Sequence, residues 1–310
     1  MQSDLSGVLA QLDKIILGKP NQLKLALVCL LAKGHLLIED LPGMGKTTLA
    51  HALAKVLGLD FQRIQFTSDL LPGDIIGSAI YRRSDESFKF HKGPIFTQVI
   101  LADEINRATP KSQSALLEAM EEYQVTVDGV SRKLPSPFFV IATQNPFHQI
   151  GTYPLPESQL DRFLIRISLG YPEREMERKL YSNDDSRKLI EELFPVIDPS
   201  KLIEMQKQVD SVMVSDALYD YLQDLVVATR QNQNWTHGLS PRGGLALLKA
   251  AKAWALLENR KYVQPEDLQA VWASIAEHRL LSQTNSMLTE NRNPMINPVA
   301  KILADTPIPR

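Results

Sequence analysis

The chain has 310 residues, 44% of them hydrophobic and 23% charged, which is the balance of an ordinary globular protein with one large or two smaller domains. Lys and Arg number 34 against 36 Asp and Glu, a net charge of −2, so no global basic excess indicates a nucleic-acid partner, although a local basic loop stays possible. The single cysteine, Cys29, excludes an internal disulfide framework. We find no secretion signal and no apolar run long enough to span a bilayer, so we expect a cytoplasmic protein without an integral membrane segment.

Two helices are predicted over residues 5–15 and 21–33, where apolar residues recur at helical spacing. The segment Ile16-Leu17-Gly18-Lys19-Pro20 separates them. Leu17 and Gly18 either form an ordinary inter-helix turn or lie against a nucleotide base, an interpretation that depends on the sequence that follows.

A loop ending in Gly-Lys-Thr lies between an apolar strand at 35–38 and an Ala- and Leu-rich helix at 49–57, which is the layout of a phosphate-binding P-loop. The loop N–H groups and the helix N-terminus would bind phosphate oxygens. Lys46 would reach the β- and γ-phosphates of ATP, and the Thr47 hydroxyl would ligate Mg²⁺. The predicted nucleotide-binding residues are Pro42, Gly43, Met44, Gly45, Lys46, Thr47 and Thr48, with Leu17 and Gly18.

Asp40 departs from the usual P-loop pattern, which has glycine five residues before the second loop glycine. A carboxylate near the phosphates could weaken nucleotide affinity. The alternative for the whole stretch is a β–turn–α unit in which Gly-Lys-Thr occurs by chance.

A strand at 61–66 is followed by a long polar stretch over residues 70–94, with a predicted hairpin at 78–82 and 87–91. Such an excursion is either a solvated hairpin or a working loop. Four basic residues could contact an acidic partner or simply be solvated. They are Arg82, Arg83, Lys89 and Lys92.

The apolar run at 98–104 ends in Asp103 and Glu104, at the strand edge where open α/β sheets bind ligands. Asp103 would hold Mg²⁺ through water, and Glu104 would polarise the attacking water. The pair lies about 57 residues after Lys46, and the two motifs together indicate a hydrolytic nucleotide site.

After a helix at 110–122 and a hairpin at 123–134, a buried strand at 138–142 leads to Asn145. Asn145, with Thr143 as the second choice, would reach the γ-phosphate or hold the water, although Asn-Pro is also a plain turn signal. Arg162 precedes a fifth strand at 164–167.

Beyond residue 171 helical patterns replace strands, at about 172–192, 199–208, 215–232, 240–258 and 265–280. Arg242 lies in the first turn of the fourth of these helices, where an anionic partner would stabilise it. We divide the chain into an α/β domain at 1–170, a helical domain at 171–282 and a tail at 283–310, with a short helix at 298–304.

In combination, several motifs resemble the MoxR family of AAA+ ATPases over roughly residues 15–280. They are Gly-Met-Gly-Lys-Thr-Thr, Leu-Ala-Asp-Glu-Ile-Asn-Arg-Ala, Ala-Thr-Gln-Asn-Pro, Pro-Glu-Ser-Gln-Leu-Asp-Arg-Phe and Leu-Ser-Pro-Arg-Gly. The resemblance implies a five-stranded parallel sheet of order 5-1-4-3-2 followed by an α-helical lid. It also implies ring homo-oligomers, commonly hexamers, with ATP between subunits. Aspartate at position 40 also occurs in MoxR-like sequences, so we do not count it against ATP binding.

The same resemblance assigns roles to single residues. Asn145 corresponds to the sensor-1 residue, Arg162 to the arginine finger that enters a neighbour's site, and Arg242 to the sensor-2 arginine of the lid. Residues 70–94 and 123–137 would engage a protein substrate. The family often works with proteins that carry a von Willebrand factor A domain, and in metal-cofactor insertion.

We therefore favour an ATP-hydrolysing ring motor with chaperone-like action on a partner protein. A nucleotide-gated binding module with little turnover is the alternative. A nucleic-acid motor is disfavoured by the near-neutral charge.

Overall fold

The structure, a computed structural model, describes residues 2–84, 86–146, 151–182, 186–232, 235–280 and 298–308. Its helices are α1 (Gln2–Asp13), α2 (Pro20–Leu31), α3 (Lys46–Val56), α4 (Pro72–Ile76), α5 (Pro110–Glu122), α6 (Glu157–Leu160), α7 (Arg174–Ser182), α8 (Ser186–Glu192), α9 (Pro199–Asp210), α10 (Asp216–Gln231), α11 (Pro241–Leu257), α12 (Pro265–Ala276) and α13 (Pro298–Asp305). Its strands are β1 (Leu36–Glu39), β2 (Phe61–Gln65), β3 (Gly77–Arg82), β4 (Ser87–Lys92), β5 (Val99–Asp103), β6 (Gln124–Val127), β7 (Val130–Lys133), β8 (Phe139–Gln144) and β9 (Ile165–Ile167).

Five strands form one parallel sheet in the order β2-β5-β8-β1-β9. Numbered among themselves along the chain and read from β9, they follow the order 5-1-4-3-2 that the resemblance implied. β5 is buried along its whole length, as is β8 except for its last residue, because helices cover both faces of the sheet. Since the strands are parallel, all their carboxyl ends lie at one edge and all their amino ends at the other.

Each face of the sheet has its own apolar core. On one face, α1, α2 and α3 pack together with the helices that follow β9, through residues such as Leu27, Leu53 and Leu247. On the other face, α5 covers the sheet through residues such as Leu116 and Ile100. Because α2 contacts both α9 and α11, the helices after residue 170 share an apolar core with those before it.

Two antiparallel hairpins, β3–β4 and β6–β7, form separate small sheets. Both were predicted, the first within residues 70–94 and the second within 123–137. The Arg132 guanidinium lies 3.9 Å from the ring centroid of Phe90, so a cation–π contact joins the hairpins. Residue 85, where the sequence predicts a turn, lies outside the described residues.

A few elements differ from the sequence prediction. α4 was not predicted, because Pro72 and Gly73 indicate a turn; Pro72 instead begins a helix, and the Asp74 carboxylate accepts the Leu71 N–H at 2.9 Å. The helix predicted at 172–192 is present as α7 and α8, with residues 183–185 outside the description. α13 confirms the short helix predicted at 298–304, whereas residues 281–297 of the predicted lid end and tail are not described. No helix in the described ranges is long and apolar enough to cross a membrane.

Candidate nucleotide-binding site

Two glycines shape the loop between β1 and α3. Gly43 and Gly45 have φ angles of 84° and 83°, and nothing lies within 4 Å of the position a Cβ would take at either. These backbone conformations suit glycine and would strain most other residues. Gly45 immediately precedes α3, and no described side chain caps that helix end. The N-terminus of α3 therefore has no side-chain cap that would compete with the phosphate oxygens expected there from the sequence.

Lys46 is folded back over the loop. Its Nζ donates to the carbonyl oxygens of Asp40 at 2.7 Å and Leu41 at 2.8 Å. Partial burial lowers the pKa of Lys46, and the carboxylates of Asp40, Asp103 and Glu104 oppose that shift. An incoming phosphate would replace the two carbonyls as the acceptor of the ammonium group. Thr47, the second residue of α3, is exposed.

Asp103 ends β5 and is only 7% exposed. Its Oδ1 accepts the Thr143 hydroxyl at 2.6 Å. Its Oδ2 accepts Nη2 of Arg63 at 2.7 Å and Nε at 3.0 Å. The donors come from β8 and β2, the two strands that flank β5, so the sheet itself holds this carboxylate in place.

Glu104 follows on a left-handed backbone with φ of 57°, an uncommon conformation for a residue other than glycine. Its N–H donates to the Thr143 hydroxyl oxygen at 2.9 Å, so Thr143 bridges the two acidic residues. The Glu104 carboxylate accepts Nε2 of Gln65 at 3.0 Å and pairs with Nε of Arg107 at 3.1 Å. Polar partners thus hold both acidic side chains.

Asn145 is the first residue after β8 and lies at the same edge of the sheet as Asp103. Its carbonyl oxygen is 3.5 Å from Nδ2 of Asn106, in the turn after Glu104. Thr143, the second choice from the sequence, bonds directly to both members of the acidic pair. Arg63 and Gln65 were not predicted as site residues, because only the strand order places β2 beside β5.

The oxygen donors fit a magnesium ion held mainly by water and phosphate. Asp103 supplies a fixed carboxylate and Thr47 an exposed hydroxyl. The described residues contain no group of three or more His, Cys, Asp or Glu that could hold a metal ion alone. Mg²⁺ needs no such group, since it keeps several waters and takes one or two carboxylates together with substrate phosphates.

Arg162 lies at the other edge of the sheet. It precedes β9, and the neighbouring Leu164 N–H donates to the carbonyl of His35, which immediately precedes β1. The phosphate loop follows the far end of β1, about 13 Å away at roughly 3.3 Å per residue. The Arg162 guanidinium donates to the Leu117 carbonyl and pairs with Glu121 at 3.0 Å, at the end of α5.

Arg242 lies beside Arg162. Its Nη1 is 3.3 Å from Oε1 of Glu121, and its Nε is 3.9 Å from Oδ2 of Asp161. Glu121 therefore bridges both arginines and provides Arg242 with an anionic partner. The arginines line an open cleft of about 270 Å³ between α5 and α11. Neither reaches the phosphate loop of its own chain, which is at the opposite edge of the sheet.

The turn at Leu17 and Gly18 contacts the chain that leaves β9. Lys19 Nζ donates to the carbonyl of Tyr171 at 2.8 Å. A Cβ on Gly18 would stand 3.0 Å from the side chain of Met176. Ile16 in the same turn is buried. The turn thus lies against the segment after β9, which also contacts the phosphate loop through Asp40.

A parallel sheet of this order, with a phosphate loop after its first strand, an acidic pair after its third and helices after its fifth, defines an ATPase of the AAA+ class. Residues 35–165 match the sequence model of the ATPase family associated with various cellular activities. Residues 227–297 match that of the AAA lid domain. A crystal structure described as that of a putative ATPase from Cytophaga hutchinsonii superposes with a TM-score of 0.88 at 36% identity, and the match covers 100% of this chain and 96% of that one.

Relatives narrow the class to one family. Chaperone MoxR1 of Mycobacterium tuberculosis is 40% identical, and the matched region covers 92% of this chain and 78% of that protein. YeaC of Bacillus subtilis is 48% identical, with 90% and 89% covered. The chain belongs to the MoxR family of AAA+ ATPases.

Proposed function

We propose that the chain binds ATP with Mg²⁺ and hydrolyses it at a site that two subunits of a ring complete. The supporting observation is the division of the predicted site residues within one chain. Lys46, Asp103 and Glu104 lie at the carboxyl edge of the sheet, whereas Arg162 and Arg242 lie at the amino edge. A chain cannot bring both sets to one phosphate, but neighbouring chains in a ring can.

In this mechanism the loop N–H groups and Lys46 bind the β- and γ-phosphates. Glu104 orients the attacking water and accepts its proton, and Asn145 holds the water or the γ-phosphate. Asp103 and Thr47 would hold Mg²⁺, which would supply neutralisation of charge on the phosphate oxygens. Arg162 and Arg242 of the neighbour stabilise the charge that develops in the transition state, after releasing Glu121.

Mixing two inactive variants tests the shared site. We expect Lys46→Ala and Arg162→Ala each to lack turnover alone, since one lacks the phosphate lysine and the other the finger, whose loss costs roughly 10³–10⁵ in rate. Arg162→Ala should still bind ATP. A mixture should regain turnover, because some interfaces then pair an intact loop with an intact arginine.

A matched control is the mixture of Lys46→Ala with Glu104→Gln. Both changes lie on the loop side, so no interface between them is complete and turnover should not return. If the first mixture assembles but stays as inactive as its components, Arg162 does not act in the neighbour's site.

For the biological role we propose chaperone-like remodelling or maturation of a partner protein, as one relative is named a chaperone. The two hairpins would engage the protein substrate. The β3–β4 hairpin exposes Ile80, Tyr81 and Phe88, with half or more of each side chain in solvent. Exposed apolar residues grouped on a small sheet favour a binding surface. From the family resemblance we further propose a hexamer, a partner with a von Willebrand factor A domain, and a role in metal-cofactor insertion or complex assembly.

One observation keeps the nucleotide-gated module as a second candidate. Gln65 and Arg107 hold Glu104, and Lys46 is bonded to its own loop carbonyls, so the single chain presents a restrained site. Turnover measured with and without the partner protein separates the two. A chain that binds ATP and assembles, but hydrolyses it no faster with its partner, would be a binding module.

A further inference from the structure

Asp40 occupies the position where the general P-loop pattern has glycine, and its side chain bonds to the chain after β9 as well as to the loop itself. It is 6% exposed and reaches the chain just after β9. Its Oδ2 accepts the N–H of Leu169 at 2.6 Å, the N–H of Gly170 at 2.7 Å and the Ser168 hydroxyl at 3.3 Å. Its Oδ1 accepts the N–H of Leu41 at 3.0 Å. Four donors therefore hold one carboxylate.

The segment that donates these hydrogen bonds has a backbone suited to binding an anion. We name residues 168–171 the junction segment. Two successive N–H groups point at one oxygen, and Gly170 has a left-handed φ of 61°. Such a pair of N–H groups forms a nest that binds anions. With glycine at position 40, the N–H of buried Leu169 would lose its acceptor, which is costly inside a protein. The Asp40 carboxylate therefore has fixed hydrogen-bond partners in the chain after β9.

The junction segment connects other parts of the nucleotide site. Lys19, in the turn predicted to contact the base, donates to the Tyr171 carbonyl at 2.8 Å. A second link joins Glu39, which precedes Asp40, to Arg166, which lies two residues before the junction segment. Arg166 pairs with Glu39 at 2.7 Å and with Glu277 at 3.0 Å, just beyond the end of α12. The start of the phosphate loop is thus bonded to the segment that leads into the helical region, and to that region itself.

The main chain of Asp40 is part of the phosphate loop. Its carbonyl oxygen is one of the two acceptors that hold the Lys46 ammonium group. A phosphate that draws Lys46 away would free this carbonyl, while the side chain of the same residue stays bonded to the junction segment. One residue is therefore bonded to the nucleotide-responsive lysine and to the chain between the sheet and the lid helices.

We propose that Asp40 is a positioning residue that transmits nucleotide occupancy of the phosphate loop to the junction segment and the lid helices. The proposal rests on the proposed nucleotide binding at this loop. Aspartate in place of the usual P-loop glycine would thus couple the phosphate loop to the lid helices. If aspartate were merely tolerated at this position, a glycine variant would keep the response of the junction segment to nucleotide. The coupling proposal predicts that the response is lost, so the glycine variant separates the two explanations.

Amide hydrogen exchange with and without ADP tests the coupling. In the unmodified chain, we expect ADP to change exchange in peptides that cover residues 166–172 and α12. In Asp40→Gly we expect ADP affinity to stay within about threefold and these changes to disappear. Turnover should fall about tenfold or more, as for the loss of one charged hydrogen bond.

Two further variants provide a milder change at Asp40 and a control at another carboxylate. Asp40→Asn preserves size but leaves one acceptor oxygen, so it should retain only part of the exchange response even if Asp40→Gly fails to fold. Asp198→Asn removes a carboxylate that accepts an N–H at the start of α9 and should leave the response and the turnover unchanged.

Tighter ADP binding by Asp40→Gly with the full exchange response would overturn the proposal, as would a full response in Asp40→Asn. Absence of any response at 166–172 in the unmodified chain, despite bound ADP, would also overturn it and leave the ATPase proposal intact. Absence of ADP binding in the unmodified chain would instead refute the proposed nucleotide site.

Discussion

At the scale of single residues, hydrogen bonds between neighbouring strands fix the positions of Asp103 and Glu104. Thr143 bonds to both residues of the pair, Arg63 occupies one oxygen of Asp103, and Gln65 holds Glu104. The left-handed backbone at Glu104 directs its side chain towards these partners and not along the strand. Gln65 and Arg107 both bind Oε2 of Glu104, the residue that the proposed mechanism assigns to the attacking water.

We predict that Glu104→Gln binds ATP but hydrolyses it about 10²–10⁴ times more slowly, because the amide cannot accept the proton of the attacking water. Filter binding of labelled ATP and steady-state turnover measure the two effects. Glu118→Gln, an identical change at an exposed position of α5, should leave both unchanged. Turnover by Glu104→Gln at the parent rate would remove Glu104 from the mechanism. The retained ATP complex is also the form best suited to capturing a partner protein for mass spectrometry.

At the scale of elements, a buried histidine joins β1, α5 and β8. His35 lies between the Met120 carbonyl, 3.1 Å from Nε2, and the Val140 N–H, which donates to Nδ1 at 3.0 Å. This arrangement requires the neutral ring with its proton on Nε2. Burial lowers the pKa of His35 to about 4, and the nearby Lys249 charge adds to the shift.

The free energy of unfolding should therefore fall as pH is lowered from about 6.5 towards 4. The unfolded chain binds a proton in this window that folded His35 does not, which costs at most about 1.4 kcal/mol per pH unit for this group. Urea unfolding at several pH values measures the slope. His35→Gln should reduce it in part, since burial also lowers the pKa of His278. His91→Gln, at an exposed histidine, should leave it unchanged, and an unchanged slope in His35→Gln would contradict the assignment.

The β3–β4 hairpin carries a second prediction at this scale. Tyr81 and Phe88 are cross-strand partners with ring centroids 5.4 Å apart, and Phe88 is 74% exposed. Phe88→Ser should reduce capture of the protein substrate by the Glu104→Gln form and leave basal turnover unchanged, because the hairpin pairs apart from the main sheet. Tyr181→Ser, at a 79% exposed aromatic residue of α7, is the matched control. Equal capture by the Phe88 and Tyr181 variants would show that the hairpin is not the binding surface.

At the scale of the whole molecule, the sheet separates the two halves of the proposed catalytic site. Its parallel strands place the loop and the acidic pair at one edge and the arginine pair at the other. The Glu121 carboxylate occupies both arginines within the single chain, so a neighbour's phosphate must compete with it. We therefore expect subunit assembly to change the rate of hydrolysis more than it changes ATP binding.

We accordingly expect turnover per chain to rise steeply with protein concentration, while ATP binding per chain changes little. Turnover and sedimentation measured over the same dilution series test this. The two curves should rise together, because a site that lacks the neighbour's Arg162 loses roughly 10³–10⁵ in rate. Constant turnover per chain under conditions where the protein is monomeric would contradict the shared site.

Local patterns in the sequence were sufficient to predict most of the helices and strands. Apolar runs bounded by Gly and Asp-Glu marked the buried strands, and Pro and Gly marked the ends of helices, because these signals act over a few residues. The sheet order came from the resemblance and is confirmed by the strand pairing. The helix at Pro72 was missed, since its first two residues are also turn residues.

The phosphate loop at Lys46 and the carboxylate pair of Asp103 and Glu104 could be predicted from sequence alone, because each lies within one continuous motif. The hydrogen-bond and ion-pair partners of those residues, in contrast, follow from the folded structure. The contacts of Asp40 with residues 168–170, and of Arg162 with Arg242 through Glu121, join segments far apart in the chain. Such contacts depend on strand order and helix packing, which no local pattern specifies, and the proposals of a shared site and of coupling through Asp40 rest on them.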